Sequence, residues 1–160
     1  MTKADVEHQM LQAWEALASA VDSFSDVELV QPGVVEGWSV KDLLGHIAFW
    51  SQQGAHNLQA IAAGEADTVH RPDSESVTAE WNERERKHRE GKDLPALRQE
   101  WLDSFQEAMQ ALADCPPEKL EEQFRGRSAL ALFAEDTYEH YREHRAHLAA
   151  WRRELETSEA

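Results

Sequence analysis

The chain has 160 residues, with 31 acidic against 16 basic side chains and a formal net charge of −15 at pH 7. This length is typical of one domain that forms its core without disulfides. The charge repels phosphate backbones and anionic membrane surfaces. We therefore expect a single domain over residues 1–160 that has neither a nucleic-acid partner nor a membrane partner.

The cysteine content and the N-terminal residues bear on cellular location. Cys115 is the one cysteine of the sequence, so an intramolecular disulfide is excluded. The N-terminal stretch lacks the basic, apolar and small-residue pattern of a signal peptide, and no apolar run approaches the roughly 20 residues that a membrane span needs. We expect a cytoplasmic protein.

The first predicted helix is marked by apolar residues that recur every three or four positions. They are Val6, Met10, Trp14, Leu17, Val21 and Phe24. Either Thr2 or Asp5 is available as its N-terminal cap. A turn-rich connection follows, because Gly33 and Gly37 both favour turns.

The second predicted helix has the strongest local signal. Ser39 is followed three residues later by Asp42, an acidic variant of the capping box, which predicts that the helix begins at Val40. Gly64 is placed to end it. Its apolar positions are Leu43, Leu44, Ile47, Trp50, Leu58 and Ile61.

Two more long helices complete the pattern. The third begins near Leu94 and ends near Cys115, and Ser128 caps a last one. The last helix carries Leu130, Phe133, Tyr141, Leu148 and Trp151. The charged segment His70–Gly91 is compatible with an extra short, partly exposed helix between the second and third. Its plausible core contacts are Val77, Ala79 and Trp81. We predict an all-α fold, a four-helix bundle.

Three of the eight histidines occupy positions of interest. His46 comes three residues after Leu43 and four before Trp50, which puts it in the apolar stripe of its helix. A buried histidine bonded to a hydroxyl or carbonyl is the alternative there. His140 and His144 are four residues apart, so their imidazoles share one helix face and lie close enough to bind one cation.

Other interpretations of the last helix remain open. His147 is three residues after His144 and is able to replace one member of the pair, or the whole run is an exposed face near a helix C-terminus. Residues 140–144 also match the H-x-x-E-H pattern of inverted zinc peptidases. Too little chain follows to supply the further ligand of that class. The remaining histidines are expected in solvent: His8, His56, His70 and His88.

Two motifs carry a family resemblance. GWSVKDLLGHI at 37–47 and YEHYREH at 138–144 together resemble the DinB-like superfamily of four-helix bundles, most of all the branch with the colibactin self-resistance type of protein. The resemblance implies a divalent metal ion, often nickel or zinc, bound by one histidine of the second helix and an H-x-x-x-H pair of the last. The matching residues here are His46, His140 and His144.

The resemblance also implies classes of activity. Relatives include thiol-dependent transferases or isomerases that use mycothiol or bacillithiol, and metal-dependent hydrolases. We expect an enzyme of transferase or hydrolase type that acts on a small electrophilic compound, with a low-molecular-weight thiol as a candidate partner. A non-catalytic protein that sequesters a small molecule or metal is the alternative, and a bundle with a vestigial site is a third hypothesis. Dimers are common in such bundles, so a homodimer is expected by resemblance.

Four further residues are candidates for supporting roles. Asp136 and Glu143 each lie a turn or less from a proposed ligand, so their carboxylates are candidates to orient the imidazoles. Trp38 and Trp50 are candidates for the mouth of a pocket, with core packing as the alternative.

Overall fold

A computed structural model describes residues 1–159 as a bundle of four long helices. These are α1 (Lys3–Asp22), α3 (Val40–Ala62), α5 (Leu94–Asp114) and α7 (Tyr138–Glu159). Shorter helices are α2 (Asp26–Leu29), α4 (Glu75–Arg89) and α6 (Ala129–Asp136). Two 3₁₀ turns, Ala66–Thr68 and Pro117–Glu121, and a small antiparallel pair, β1 (Gln123–Phe124) and β2 (Arg127–Ser128), lie in the connections. The predicted all-α bundle is confirmed.

The core lies between the long helices. α3 packs along α5, and α1 packs along α7, while α6 covers part of α3. The apolar stripes meet there, and burial of each large aliphatic side chain stabilises the fold by about 1.5–3 kcal/mol. Fully buried examples are Met10, Leu17, Leu44, Ile47, Leu112 and Tyr141. Within residues 1–159 no helix has the length and apolar character to cross a bilayer.

The capping box of α3 forms as the sequence predicts. The Ser39 hydroxyl accepts a hydrogen bond from the Asp42 amide at 3.1 Å, and the Asp42 carboxylate accepts one from the Ser39 amide at 3.0 Å. Helix α3 therefore begins at Val40, and it ends just before Gly64, whose φ is 78°. At α1, Thr2 is the cap and Asp5 is its reciprocal partner, so the two alternatives belong to one box.

The extra helix between the second and third long helices is present as α4, and it is longer than expected. Its buried anchor is Arg89, whose guanidinium binds the carboxylates of Glu85 and Glu100 at 3.0 and 2.9 Å. Ala79, which the pattern assigned to the core, is exposed. The Arg89 side chain crosses α3 at Gly45, where a Cβ would lie 2.8 Å from the Arg89 Cδ.

The prediction of one long last helix is wrong. Ser128 does cap a helix, α6, but the chain leaves helical geometry at Thr137 (φ −123°, ψ −103°) and α7 begins at the next residue. The Thr137 hydroxyl donates to the Phe133 carbonyl at 2.6 Å, and the Thr137 carbonyl accepts from the Tyr141 amide at 2.8 Å. This break sets the direction of α7 immediately before its histidines.

Candidate metal centre

Three imidazoles from two helices meet inside the bundle. The Nε2 atom of His140 on α7 lies 3.0 Å from that of His46 on α3 and 2.8 Å from that of His144. One nitrogen from each ring lies within 4.8 Å of the other two. His144 is 5% exposed, and His46 and His140 are partly buried. The structure thus brings together the three residues named from the sequence.

The contacts of His140 fit a shared cation. A ring nitrogen has one hydrogen-bonding position, either an N–H or a lone pair, so Nε2 of His140 makes a hydrogen bond with only one of its two close neighbours. In the other contact two ring nitrogens lie close together with no hydrogen bond between them. Nitrogen atoms that bind one ion at about 2.0–2.1 Å lie about 3 Å apart, which is the spacing of the His140 Nε2 from the Nε2 atoms of His46 and His144.

Burial keeps these imidazoles neutral. It lowers the pKa of His46 to about 4, with a further contribution from the nearby Arg89 charge. It lowers the pKa of His144 to about 3, and that of His140 well below the ordinary histidine value. At neutral pH the ring nitrogens therefore offer lone pairs, which is the form that binds a divalent metal.

The outer nitrogens of the rings have different surroundings. Nδ1 of His144 lies 3.2 Å from Nδ1 of His147, one turn further along α7. Nδ1 of His140 is buried and has no hydrogen-bond partner among the described residues. His147 therefore contacts the far side of a ligand-candidate ring and is not one of the three converging nitrogens.

A cavity of about 720 Å³ opens beside the three histidines. Trp38 and Trp50 line it, as proposed from the sequence, and the Trp38 ring meets the His46 imidazole edge-on at 5.3 Å between centroids. Trp50 donates its indole N–H to the Asn82 side chain at 2.8 Å. α4 thus supplies the wall that faces the histidines, and the sequence pattern did not reveal this role.

The two candidate orienting carboxylates are both in the cavity wall. Asp136 is buried, and its carboxylate accepts from Arg71 at 2.5 and 3.3 Å. Burial raises the pKa of Asp136 to about 6 against the opposing effect of Arg71, so the pair is ionised at neutral pH. Glu143 is exposed at the cavity. Their role in orienting imidazoles stays a prediction.

The sequence correctly assigned the remaining histidines to the surface. Each of them is exposed: His8, His56, His70 and His88. Arg71 is a cavity residue that sequence reasoning missed, because its carboxylate partner is 65 positions away and no local pattern signals such a pair. The sequence left open whether His147 replaces one member of the pair, and the structure places His147 beside the outer nitrogen of His144.

A sequence model described as the mycothiol maleylpyruvate isomerase N-terminal domain matches residues 10–156. The chain belongs to this family. The matched residues include α3 and the three histidines of the candidate centre. The mycothiol maleylpyruvate isomerase N-terminal domain family therefore accounts for nearly the whole bundle.

A solved structure has the same fold. It is an uncharacterised protein from Escherichia coli UTI89, similar to this chain with a TM-score of 0.83 and 15% sequence identity. The similarity covers 97% of this chain and 95% of that one. A search of curated proteins found no match.

Proposed function

We propose that this protein is a metal-dependent enzyme of thiol-dependent transferase or hydrolase type that acts on a small electrophilic compound, with a detoxification or stress role. The convergence of three Nε2 atoms beside a cavity carries the proposal. Membership of a family associated with mycothiol-related enzymes and metal-binding DinB-like proteins supports it. The DinB-like resemblance of the two histidine motifs points the same way.

The three histidines would hold the metal ion, with nickel or zinc favoured by imidazole ligands. When bound, a divalent ion supplies Lewis acidity, which lowers the pKa of a thiol or water molecule. Three protein ligands leave room for such a molecule, as in catalytic centres. The protein's own contribution is to keep the imidazoles neutral and to fix them on two packed helices.

The cavity is larger than a small electrophile alone requires. Its volume of about 720 Å³ lies within the range of sites that hold drug-sized ligands. Trp38 and Trp50 contribute aromatic surface to the lining, and Asn82, which accepts the hydrogen bond from Trp50, contributes a polar side chain beside them. This arrangement suits a thiol and an electrophile bound together.

The charges of the cavity wall favour a neutral or cationic ligand. The two wall arginines are already engaged: Arg71 binds Asp136 and Glu135, and Arg127 binds Glu135 at 2.8 Å. The wall carboxylates outnumber them and would repel an anionic ligand. These are Glu36, Glu75, Glu83, Glu135, Asp136 and Glu143.

In the thiol-dependent reaction the sulfur forms a bond to the electrophilic carbon, the thiol proton passes to solvent, and the leaving group departs. The test is a steady-state assay of metal-loaded protein with glutathione, cysteine or 2-mercaptoethanol and 1-chloro-2,4-dinitrobenzene, followed by absorbance. Hydrolysis of p-nitrophenyl acetate is measured in parallel.

The proposed enzymatic activity predicts turnover above the uncatalysed rate. His46→Ala and His144→Ala should abolish this turnover, and the exposed-site control His88→Ala should retain it. Stoichiometric ligand binding without product favours the sequestering alternative. Equal behaviour of wild type and His46→Ala with every probe would refute a function for the centre.

A further inference from the structure

We infer that His147 is a positioning residue, which fixes the tautomer and the ring orientation of His144 for metal binding. The inference rests on the proposed metal centre and adds a residue to it. It stands on the 3.2 Å contact between the Nδ1 atoms of the two rings. No proton uptake or release is needed for this role.

The tautomer follows from hydrogen-bonding rules. Nε2 of His144 faces the centre, 2.8 Å from Nε2 of His140, so binding a cation there requires a lone pair on this atom. A neutral imidazole then carries its proton on Nδ1. Since two N–H groups cannot bond each other, Nδ1–H of His144 donates to the lone pair of Nδ1 on His147.

The helix makes the contact durable. Residues 144 and 147 are three apart on α7, where side chains at this spacing are neighbours on one face. His147 is half-buried and its ring centroid lies 5.2 Å from that of His144. A histidine that accepts from the outer nitrogen of a ligand is a form of the outer-shell support that metal-binding imidazoles generally have.

The same geometry argues against His147 as a substitute ligand. Its contact with His144 is at Nδ1, across the ring from the Nε2 atom that faces the centre. The cluster of nitrogens within 4.8 Å of one another contains only His46, His140 and His144 among the described residues. His147 therefore contacts the outer nitrogen of a ligand and does not itself bind the ion.

His140 and His144 differ in the surroundings of their outer nitrogens. The buried Nδ1 of His140 lacks a hydrogen-bond partner in residues 1–159, whereas the corresponding atom of His144 has one. Loss of the His147 ring would leave His144 without a side-chain partner on its outer nitrogen. The affinity for metal should therefore depend on His147 although it does not touch the ion.

The test measures cobalt affinity by competition with a chromophoric chelator, together with the visible absorption spectrum of the cobalt-loaded protein. His147→Ala removes the acceptor, and His147→Asn places an amide oxygen near the position of Nδ1. We expect the alanine variant to bind cobalt about 10–100-fold more weakly, with a shifted spectrum. The asparagine variant should recover most of both, and His88→Ala should match the wild type.

Three outcomes separate the inference from the proposed function. An alanine variant with the affinity and spectrum of the wild type overturns the positioning role alone, provided that His144→Ala loses cobalt. Equal weakening of the alanine and asparagine variants also overturns it, because the acceptor would then be irrelevant. A wild-type protein that binds no cobalt overturns both this inference and the metal centre.

Discussion

His46 on α3 and His140 on α7 are 94 positions apart in the chain, and their Nε2 atoms lie 3.0 Å from each other. Both rings are kept neutral by burial, so no charge repulsion separates them. Helix α3 begins at its capping box and packs along α5, and α7 begins directly after the break at Thr137. The centre therefore depends on the relative positions of two helices as well as on the histidines.

Gly45 has a testable packing role next to His46. A methyl group there would lie 2.8 Å from the Arg89 Cδ, and Arg89 is held by Glu85 and Glu100. We expect Gly45→Ala to lower the free energy of unfolding by about 1–3 kcal/mol through overpacking. Urea denaturation monitored by circular dichroism measures it.

Gly91 provides the matched control, because a Cβ there would meet no atom within 4 Å. Gly91→Ala should be neutral or stabilising by up to about 1 kcal/mol through the unfolded state. If Gly45→Ala is as stable as Gly91→Ala, the close approach of Arg89 to α3 is not a constraint on the fold.

The neutral histidines should make the metal-free protein sensitive to acid. Burial lowers the pKa of His46 to about 4 from 6.5, and that of His144 to about 3. In the unfolded chain these rings take up protons near pH 6.5, while in the folded protein they do not, so their contribution to stability is present above pH 6.5 and lost as the pH falls toward the folded values.

We expect the free energy of unfolding, measured by urea denaturation with a chelator present, to decrease from pH 7 to pH 5. Each histidine contributes at most about 1.4 kcal/mol per pH unit. His46→Gln should show a smaller decrease than the wild type, since one of the titrating rings is gone. An identical decrease in both proteins would contradict the lowered pKa of His46 in the folded protein.

The acidic cavity wall predicts a charge preference among thiols. Cysteamine, 2-mercaptoethanol and 3-mercaptopropionate carry a cationic, neutral and anionic tail, and their binding to the cobalt-loaded protein is followed by absorbance and corrected for thiol pKa. We expect affinity to fall in that order, by about tenfold between the extremes. Added salt should reduce the spread.

Glu143→Gln is the variant that tests the origin of this preference, because Glu143 lies in the cavity wall on the same helix as two of the histidines. The spread between cysteamine and 3-mercaptopropionate should narrow in this variant. Stronger binding of 3-mercaptopropionate than of cysteamine by the wild type would contradict the proposed preference for neutral or cationic ligands.

The parts that the sequence predicted correctly depend on neighbours in the chain. Ser39 and Asp42 are three apart, so the start of α3 follows from a local hydrogen-bonding pattern. His140 and His144 are four apart on one helix, so their common face follows from helix geometry. The place of His46 in the apolar stripe of α3 follows from the same helix geometry.

The features of the fold that the sequence did not predict depend on contacts between segments that are distant in the chain. Thr137 is neither glycine nor proline, and the break there occurs where the buried Thr137 side chain packs on Gly54 of α3, whose Cβ would lie 3.2 Å from the Thr137 Cγ2. Arg89 reads as a surface residue because its carboxylate partner Glu100 belongs to another helix. Propensity and periodicity carry no information about such pairings.

Metal content per chain tests the central claim most directly. Elemental analysis is made on protein purified without a histidine tag or chelator, for the wild type, His46→Ala and the surface control His88→Ala. The account predicts close to one divalent ion, nickel or zinc, per wild-type and His88→Ala chain, and almost none in His46→Ala. A wild-type chain that holds no ion even after reconstitution, or a His46→Ala chain that holds as much, would contradict it.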